Sequence, residues 1–171
     1  MQQFIDSIRQ SLKNENWLAA LFISLALPDI CRSAERPNIK IGETGKWYKD
    51  WVTRYFEQKY IDGPREETKF YAQDCWLFRC SCIHSGLNVE SQKRMMHFVF
   101  TPPGPDGRFA HKCFLGDKLQ LQIDIFCNDM IESVEKWLSD VEGDKEIQER
   151  INNLIKISLH TLKPYIDFLK Y

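Results

Sequence analysis

The longest apolar run in the chain is Trp17-Leu-Ala-Ala-Leu-Phe-Ile-Ser-Leu-Ala-Leu-Pro28, interrupted only by Ser24. A helix without a polar face is typical of an element that is buried on nearly all sides. The run itself is too short to span a bilayer. We therefore predict a buried helix from about Trp17 to Ser33. Pro28 should kink it, because proline has no N–H to donate to the carbonyl of Ser24.

Helical periodicity continues on both sides of this run. It predicts further helices at the following positions: 2–14, about 46–60, about 66–84, 125–141 and about 144–162. Turn-forming stretches such as Asp62-Gly63-Pro64 and Glu142-Gly143-Asp144 separate several of them. Short connections favour antiparallel neighbouring helices.

Between the helices lies a segment of different character, residues 95–124. Two strand-like runs, Met95–Phe100 and Phe109–Phe114, flank a turn centred on Gly104, and residues 118–124 alternate with period two. This pattern predicts a small antiparallel β-hairpin or a three-stranded meander. In a hairpin about that turn, the numbers of directly paired residues sum to 208.

The fold class that follows is mainly α, a single domain over 1–171. A bundle of five to six helices comprises 1–86 and 125–171, and the β insertion occupies about 95–124. Hydrophobic residues make up 43% of the chain and the formal net charge is -1, which excludes a disordered chain and a broad basic surface of the histone kind. A near-neutral net charge still allows a modest local basic patch. Such a patch at the hairpin would consist of Lys93, Arg94, Arg108 and Lys112.

The chain has six cysteines and none of them forms a CxxC pair. Its first sixteen residues carry polar groups throughout and lack the apolar centre of a secretory signal. We therefore expect a cytoplasmic protein with reduced thiols, without a disulfide framework and without a membrane span.

The segment with the most chemical potential is Phe78-Arg-Cys-Ser-Cys-Ile-His-Ser-Gly86, in which His84 follows Arg79 by five residues. An arginine binds phosphate through two parallel hydrogen bonds, and a histidine transfers protons near neutral pH. An ideal α-helix sets the two about 140° apart around its axis, so a shared cleft requires the helix to loosen before Gly86. The alternative is a surface arginine beside a histidine that caps the helix.

Arg79 and His84, near the end of a helix in a helical bundle, resemble the Arg-x4-His motif of the HEPN superfamily. The segments Trp17–Leu21 and Leu27–Cys31 also resemble a group of uncharacterised bacterial proteins of this size. Many HEPN proteins are dimeric, metal-independent endoribonucleases. The resemblance implies that Arg79 holds the phosphate while His84 activates the ribose 2′-OH or protonates the leaving oxygen. Other members are non-catalytic and bind nucleotides or partner proteins.

Cys80 occupies the second motif position, where this family usually has Asn, Asp or His. Together with the near-neutral charge, this favours a non-catalytic binding module for a protein, nucleotide or RNA partner, with no cofactor. The alternative is a metal-independent endoribonuclease, of the toxin or defence type, with Arg79 and His84 at a homodimer interface.

Two carboxylates are candidates for orienting this pair. Asp74 lies five residues before Arg79. Asp29 follows Pro28 in the apolar helix, where a carboxylate needs a partner, and we predict Arg79 as that partner. The alternative is that Asp29 caps the turn that restarts after Pro28.

The predicted hairpin offers a second, weaker candidate site. His97 would face His111, and Met95 would face Cys113, so that His97, His111 and Cys113 would share one face. Two imidazoles and a thiol can bind zinc or copper, although no fourth ligand is evident. The alternative is a pair of stacked or half-buried histidines.

Aromatic residues recur at helical spacing in the predicted helix over 46–60. Trp47, Tyr48, Trp51 and Tyr55 would suit a dimer surface if they are exposed. They would form part of the core if they are buried.

Overall fold

Helices dominate the computed structural model, which describes residues 1–38, 40, 42–85, 98–104 and 109–157, without the side chains of 84 and 85. This described part contains seven α-helices: α1 (Gln2–Lys13), α2 (Trp17–Glu35), α3 (Thr44–Tyr55), α4 (Gln58–Ile61), α5 (Ala72–Cys80), α6 (Ile123–Asp140) and α7 (Lys145–Asn152). A 3-10 turn covers Glu66–Thr68, and a π-helical turn covers Ser81–Ser85. Three strands form one sheet: β1 (Phe98–Thr101), β2 (Cys113–Leu115) and β3 (Lys118–Gln122). The prediction of a mainly helical fold with a small inserted sheet is confirmed.

The apolar run forms the central helix, α2. Five other helices, α1, α3, α5, α6 and α7, pack against it, and Leu21, Leu25 and Leu27 are buried in these contacts. The helix continues through Pro28 to Glu35, two residues beyond its predicted end. By length and composition, α2 is the one helix of the described residues that meets the criterion for a membrane span, a criterion that core helices of globular folds also meet.

The predicted helix over 46–60 is divided in two by a buried carboxylate. Glu57 lies in the break between α3 and α4 and is 9% exposed. Its Oε1 accepts a 2.7 Å hydrogen bond from the backbone N–H of Ala72, the first residue of α5. Because a buried carboxylate must find a donor, this tertiary contact interrupts the helical pattern. It also ties the start of α5 to the end of α3.

The aromatic residues of α3 belong mainly to the core. Tyr48 and Trp51 are fully buried, and Trp47 and Tyr55 are half-buried. The Tyr48 hydroxyl donates a 3.0 Å hydrogen bond to the carbonyl of Leu25 in α2. The core interpretation of Tyr48 and Trp51 is therefore confirmed, and their assignment to a dimer surface is wrong.

The sheet has a different strand order from the predicted one. β3 is central, parallel to β1 and antiparallel to β2. The predicted hairpin between the runs 95–100 and 109–114 is therefore wrong, and so is the predicted antiparallel meander. Phe98 pairs with Leu119, and the register that sums to 208 does not occur. Leu119 and Leu121 are buried, which favours a strand paired on both sides. Gly116, with φ +64, allows the tight turn that joins β2 to β3.

The last described helix, α7, is shorter than predicted. Asp144 caps its start by accepting hydrogen bonds from the N–H groups of Glu146 and Ile147. The helix ends at Asn152, and the N–H of Asn153 donates hydrogen bonds to backbone carbonyls of the last turn. Asparagine has low helix propensity, which explains why the helix ends at Asn152 and Asn153. The predicted continuation past residue 157 lies outside the described residues.

One hydrophobic core draws residues from both parts of the predicted bundle. It includes Ile5 and Ile8 of α1 as well as Ile147 and Ile151 of α7. All six cysteines are free thiols.

Candidate functional site

The predicted partner of Asp29 is confirmed. Arg79, in the last turn of α5, donates a hydrogen bond of 2.7 Å from Nε to Asp29 Oδ2 of α2. The two side chains are 15% and 16% exposed, so the pair is largely shielded from water while still reaching the surface. A mostly apolar helix tolerates the carboxylate because a guanidinium neutralises it.

A second arginine shares the same carboxylate. Arg32 follows Asp29 by one turn of α2, and its Nε lies 3.8 Å from Asp29 Oδ1. Neither of these two atoms makes a hydrogen bond within the described part of the chain. Counted over the described residues, two guanidinium groups around one carboxylate carry a net charge of +1, and a positive charge attracts anions.

Trp76 and Cys80 also lie beside Arg79. The guanidinium carbon lies 5.1 Å from the centre of the Trp76 ring, which is cation–π distance. Burial raises the pKa of the Cys80 thiol, and the opposing effect of Arg79 is smaller. Cys80 therefore stays protonated near neutral pH and does not supply an anionic base.

Asp74 and His84 lie at opposite ends of the α5 segment. Asp74 is buried, and its Oδ2 accepts a 2.8 Å hydrogen bond from the N–H of Tyr71, which caps α5. It is about 7.5 Å from Arg79 along the helix axis. The backbone of His84 belongs to the π-helical turn, and its side chain lies outside the described residues. The pairing of His84 with Arg79 stays a prediction.

The alternative metal site is not assembled in the described part of the chain. His97 lies outside that part, and Cys113 is an exposed free thiol. The ring of His111 packs edge-on against Tyr60, with ring centres 5.4 Å apart, and its Nδ1 accepts a 3.1 Å hydrogen bond from the N–H of Gln122. Burial lowers the pKa of His111, consistent with a neutral acceptor. No three His, Cys, Asp or Glu of the described residues are placed to hold a metal ion.

The predicted basic patch at the hairpin is described only at Lys112, since Lys93, Arg94 and Arg108 lie outside the described residues. The Lys112 ammonium donates to the carbonyls of Lys59 and Asp62, at 3.1 and 3.4 Å. These carbonyls lie at the end of α4, where a cation is favourable. Lys112 thus stabilises the contact between the sheet and α4.

A cleft that the sequence did not predict lies beside the start of α3. Its volume is about 330 Å³, and it is lined by Arg36, Pro37, Asn38, Lys40, Glu43 and Trp47. The guanidinium of Arg36 lies 4.0 Å from the centre of the Trp47 ring, and the Lys46 ammonium lies 5.2 Å from it. We call this the Trp47 cleft. One sequence signal could have indicated this cleft. Arg36 and Lys40 lie in a stretch whose composition indicates a loop, and Lys46 and Trp47 follow it directly.

The cluster of Asp29, Arg32 and Arg79, which we call the Arg79 cluster, is linked to the start of α3 through Trp76. Arg36 caps the C-terminal end of α2 and lies about 10 Å beyond Asp29 along the helix axis. Trp76 packs against Gly45 in the first turn of α3, where a Cβ would lie 2.9 Å from the indole. We group the charged and aromatic residues of the cleft and the cluster as the basic face: Arg32, Arg36, Lys40, Lys46, Arg79, Trp47 and Trp76, with the carboxylates of Asp29 and Glu43.

Comparisons with protein-family models, with curated proteins and with solved structures give no match to this chain. The HEPN resemblance therefore rests on Arg79 and His84, and the case for function rests on the geometry of the basic face.

Proposed function

We propose that this protein is a non-catalytic binding module whose partner is single-stranded RNA, bound along the basic face. The observation that carries the proposal is local charge. Among the described residues, the basic face combines five cations with two carboxylates, a net charge of +3, on a chain whose formal net charge is -1. Cationic groups bind backbone phosphates, and this attraction supplies most of the affinity of non-specific nucleic-acid binding.

The two tryptophans of the basic face favour a single strand over a duplex. Trp47 and Trp76 are both half-buried, so part of each ring remains accessible. Proteins that bind single strands combine a positive groove with aromatic rings on which bases stack. In duplex RNA the bases are stacked on each other, and recognition relies on shape and on backbone groups.

The contacts around Arg79 favour binding over catalysis. Asp29 accepts from Arg79 Nε, which orients the guanidinium. At the second motif position, Cys80 is a protonated thiol near neutral pH, where the HEPN pattern usually has a polar side chain. The described side chains of the cluster therefore offer guanidinium groups suited to binding a phosphate, and a thiol without an anionic form at the second motif position.

The proposal is tested by fluorescence anisotropy with a labelled single-stranded RNA of about 15 nucleotides. We expect binding that weakens between about 50 and 200 mM salt, because each phosphate contact releases a counterion. The double substitution Lys40→Gln/Lys46→Gln removes two exposed cations of the basic face. It should reduce the slope of log affinity against log salt by about 1.4, since each contact on a single strand contributes about 0.7.

The matched control is Arg9→Gln/Lys136→Gln, which removes two exposed cations from α1 and α6. Equal effects of the two double variants would mean that net charge alone governs binding, and the basic face would lose its role. No binding of the wild type at low salt would also reject the proposal. Capture of a protein partner by a chain that ignores RNA would favour the protein-binding alternative.

A metal-independent endoribonuclease is the second candidate, and the π-helical turn favours it. In a π-helix the hydrogen bonds join residues five apart, and such turns are frequent at functional sites. The backbone therefore winds less per residue between Arg79 and His84 than an α-helix does.

The test of this second candidate is cleavage of labelled RNA in EDTA by the wild type, by Arg79→Ala and by His84→Ala. Cleavage by the wild type alone, leaving 2′,3′-cyclic phosphate ends, supports this candidate, and intact RNA in all three reactions rejects it.

A further inference from the structure

We propose that the Trp47 cleft binds one guanine nucleotide, with the base stacked at Arg36 and Trp47 and read by Glu43. This inference deepens the proposed function, since it assigns the part of the basic face that would select a base. The cleft volume of about 330 Å³ lies at the lower end of the range for small-ligand sites.

The cleft contains a cation–aromatic pair on which a base would stack. The guanidinium of Arg36 lies 4.0 Å from the centre of the Trp47 ring. Arg36 is exposed and Trp47 is half-buried, so planar area remains accessible on both. Unpaired bases stack on guanidinium planes as well as on aromatic rings. A purine, with its larger area, gains the most from such a platform.

Two lysines provide the phosphate contacts. Lys40 lines the cleft, and the Lys46 ammonium lies 5.2 Å from the Trp47 ring centre. Both side chains are exposed. A nucleotide with its base on the Arg36–Trp47 pair would therefore have ammonium groups within reach of its phosphate. An ammonium is a flexible point charge that suits a phosphate at the rim of a site.

Glu43 decides the choice of base. It lines the same cleft, and its Oε2 accepts from the indole N–H of Trp47 at 3.4 Å. A carboxylate repels phosphate, so its place among three cations favours a ligand that also has N–H donors. The Watson–Crick edge of guanine presents two adjacent donors, N1–H and N2–H, which match the two oxygens of a carboxylate. Adenine, cytosine and uracil each place an acceptor beside their donor.

The test is isothermal titration calorimetry of the full chain with four probes: GMP, AMP, guanosine and inorganic phosphate. We expect GMP to bind at least about tenfold more tightly than AMP, in line with the discrimination of a paired base contact. Guanosine and phosphate each supply half of the interactions and should bind more weakly than GMP. Glu43→Gln replaces one acceptor by a donor at nearly equal shape, and it should abolish the preference for GMP over AMP.

Asp50→Asn is the matched control, because Asp50 is an exposed carboxylate on the same helix, paired with Arg54. It should leave the affinity for GMP unchanged. Three results would each overturn the inference: inorganic phosphate that binds as tightly as GMP, equal affinities for GMP and AMP, or a preference for GMP that survives Glu43→Gln.

RNA anisotropy on the same samples separates the two proposals. Selective GMP binding without RNA binding rejects only the proposed function, and RNA binding without GMP selectivity rejects only this inference.

Discussion

At the scale of single residues, Asp29 illustrates how one carboxylate organises a surface. It lies in the most apolar helix of the chain, where an unpaired charge would be costly. Arg79 pairs with it at 2.7 Å, and Arg32 approaches its other oxygen at 3.8 Å. Removing one partner of such a shielded pair leaves the other charge uncompensated. The carboxylate therefore holds two arginines where the basic face needs them.

His111 makes the stability of the fold depend on pH. Burial lowers its pKa below the ordinary value of 6.5, and the charge of Lys112 acts in the same direction. Asp129 and Asp124 oppose the shift with smaller effects. As the pH falls below about 6.5, the unfolded chain takes up the proton before the folded chain does. We expect the free energy of unfolding to fall from pH 7.5 to pH 5.5, by at most about 1.4 kcal/mol per pH unit for this group.

Urea unfolding of the wild type and of His111→Asn at three pH values checks this expectation. The asparagine amide oxygen can still accept from the N–H of Gln122 but does not titrate. The variant should therefore lose a smaller part of its stability over this interval than the wild type does. Parallel curves for the two proteins would show that His111 has no part in the pH dependence.

At the scale of elements, the approach of α3 to α5 depends on a glycine. Trp76 of α5 lies against Gly45, where an added Cβ would come within 2.9 Å of the indole ring. The same indole contacts Tyr48 of α3, with ring centres 5.2 Å apart. Arg79 lies over this ring in turn. The position of the Arg79 cluster is thus set by the packing of two helices.

Gly45→Ala should destabilise the fold by about 1–2 kcal/mol, because the cost of overpacking exceeds the gain in helix propensity. Gly143→Ala is the matched control. Gly143 lies in the turn between α6 and α7, with nothing within 4 Å of an added Cβ. It should be neutral or stabilise by about 0.5 kcal/mol. Thermal unfolding of both variants provides the comparison, and a neutral Gly45→Ala would contradict the close packing of Trp76 on α3.

At the scale of the whole molecule, α2 joins the helices that precede and follow the sheet. It packs against α1, α3, α5, α6 and α7. The indole N–H of Trp137 in α6 donates to Glu35 at the end of α2, at 2.7 Å. Arg150 of α7 donates from Nε to the carbonyl of Ala34, also in α2, at 2.6 Å. Loss of packing at α2 should therefore affect all of these elements together.

Leu25→Ala should lower the free energy of unfolding by about 3 kcal/mol, since it leaves a cavity at a fully buried position. Leu18→Ala removes the same atoms from the same helix where the side chain is 67% exposed, and its effect should stay within about 0.5 kcal/mol. Urea unfolding followed by far-UV circular dichroism and by tryptophan fluorescence measures both. Similar losses for the two variants would contradict the central position of α2.

Local pattern within the chain was sufficient for the helical class and for the buried helix. The apolar run from Trp17 to Pro28 and the period of 3.6 in the other segments depend only on near neighbours in the sequence. The alternation at 118–124 likewise predicted the strand β3, which ends at Gln122. The need of Asp29 for a partner followed from the cost of an unpaired carboxylate in an apolar helix, and Arg79 was the predicted partner, with a capping role of Asp29 as the alternative. This prediction needed no knowledge of the topology beyond two adjacent helices.

Strand order, helix breaks and the basic face were decided by the tertiary structure alone. β1 pairs with β3, whose Leu119 and Leu121 are buried, and does not pair with β2 across the predicted turn at Gly104. The break at Glu57 depends on the N–H of Ala72, fifteen residues away. The cleft forms because Arg36, the residue that caps α2, lies over Trp47 of α3, eleven residues later. Each of these features depends on contacts between elements, and such contacts are determined by packing of the whole chain, which no local periodicity contains.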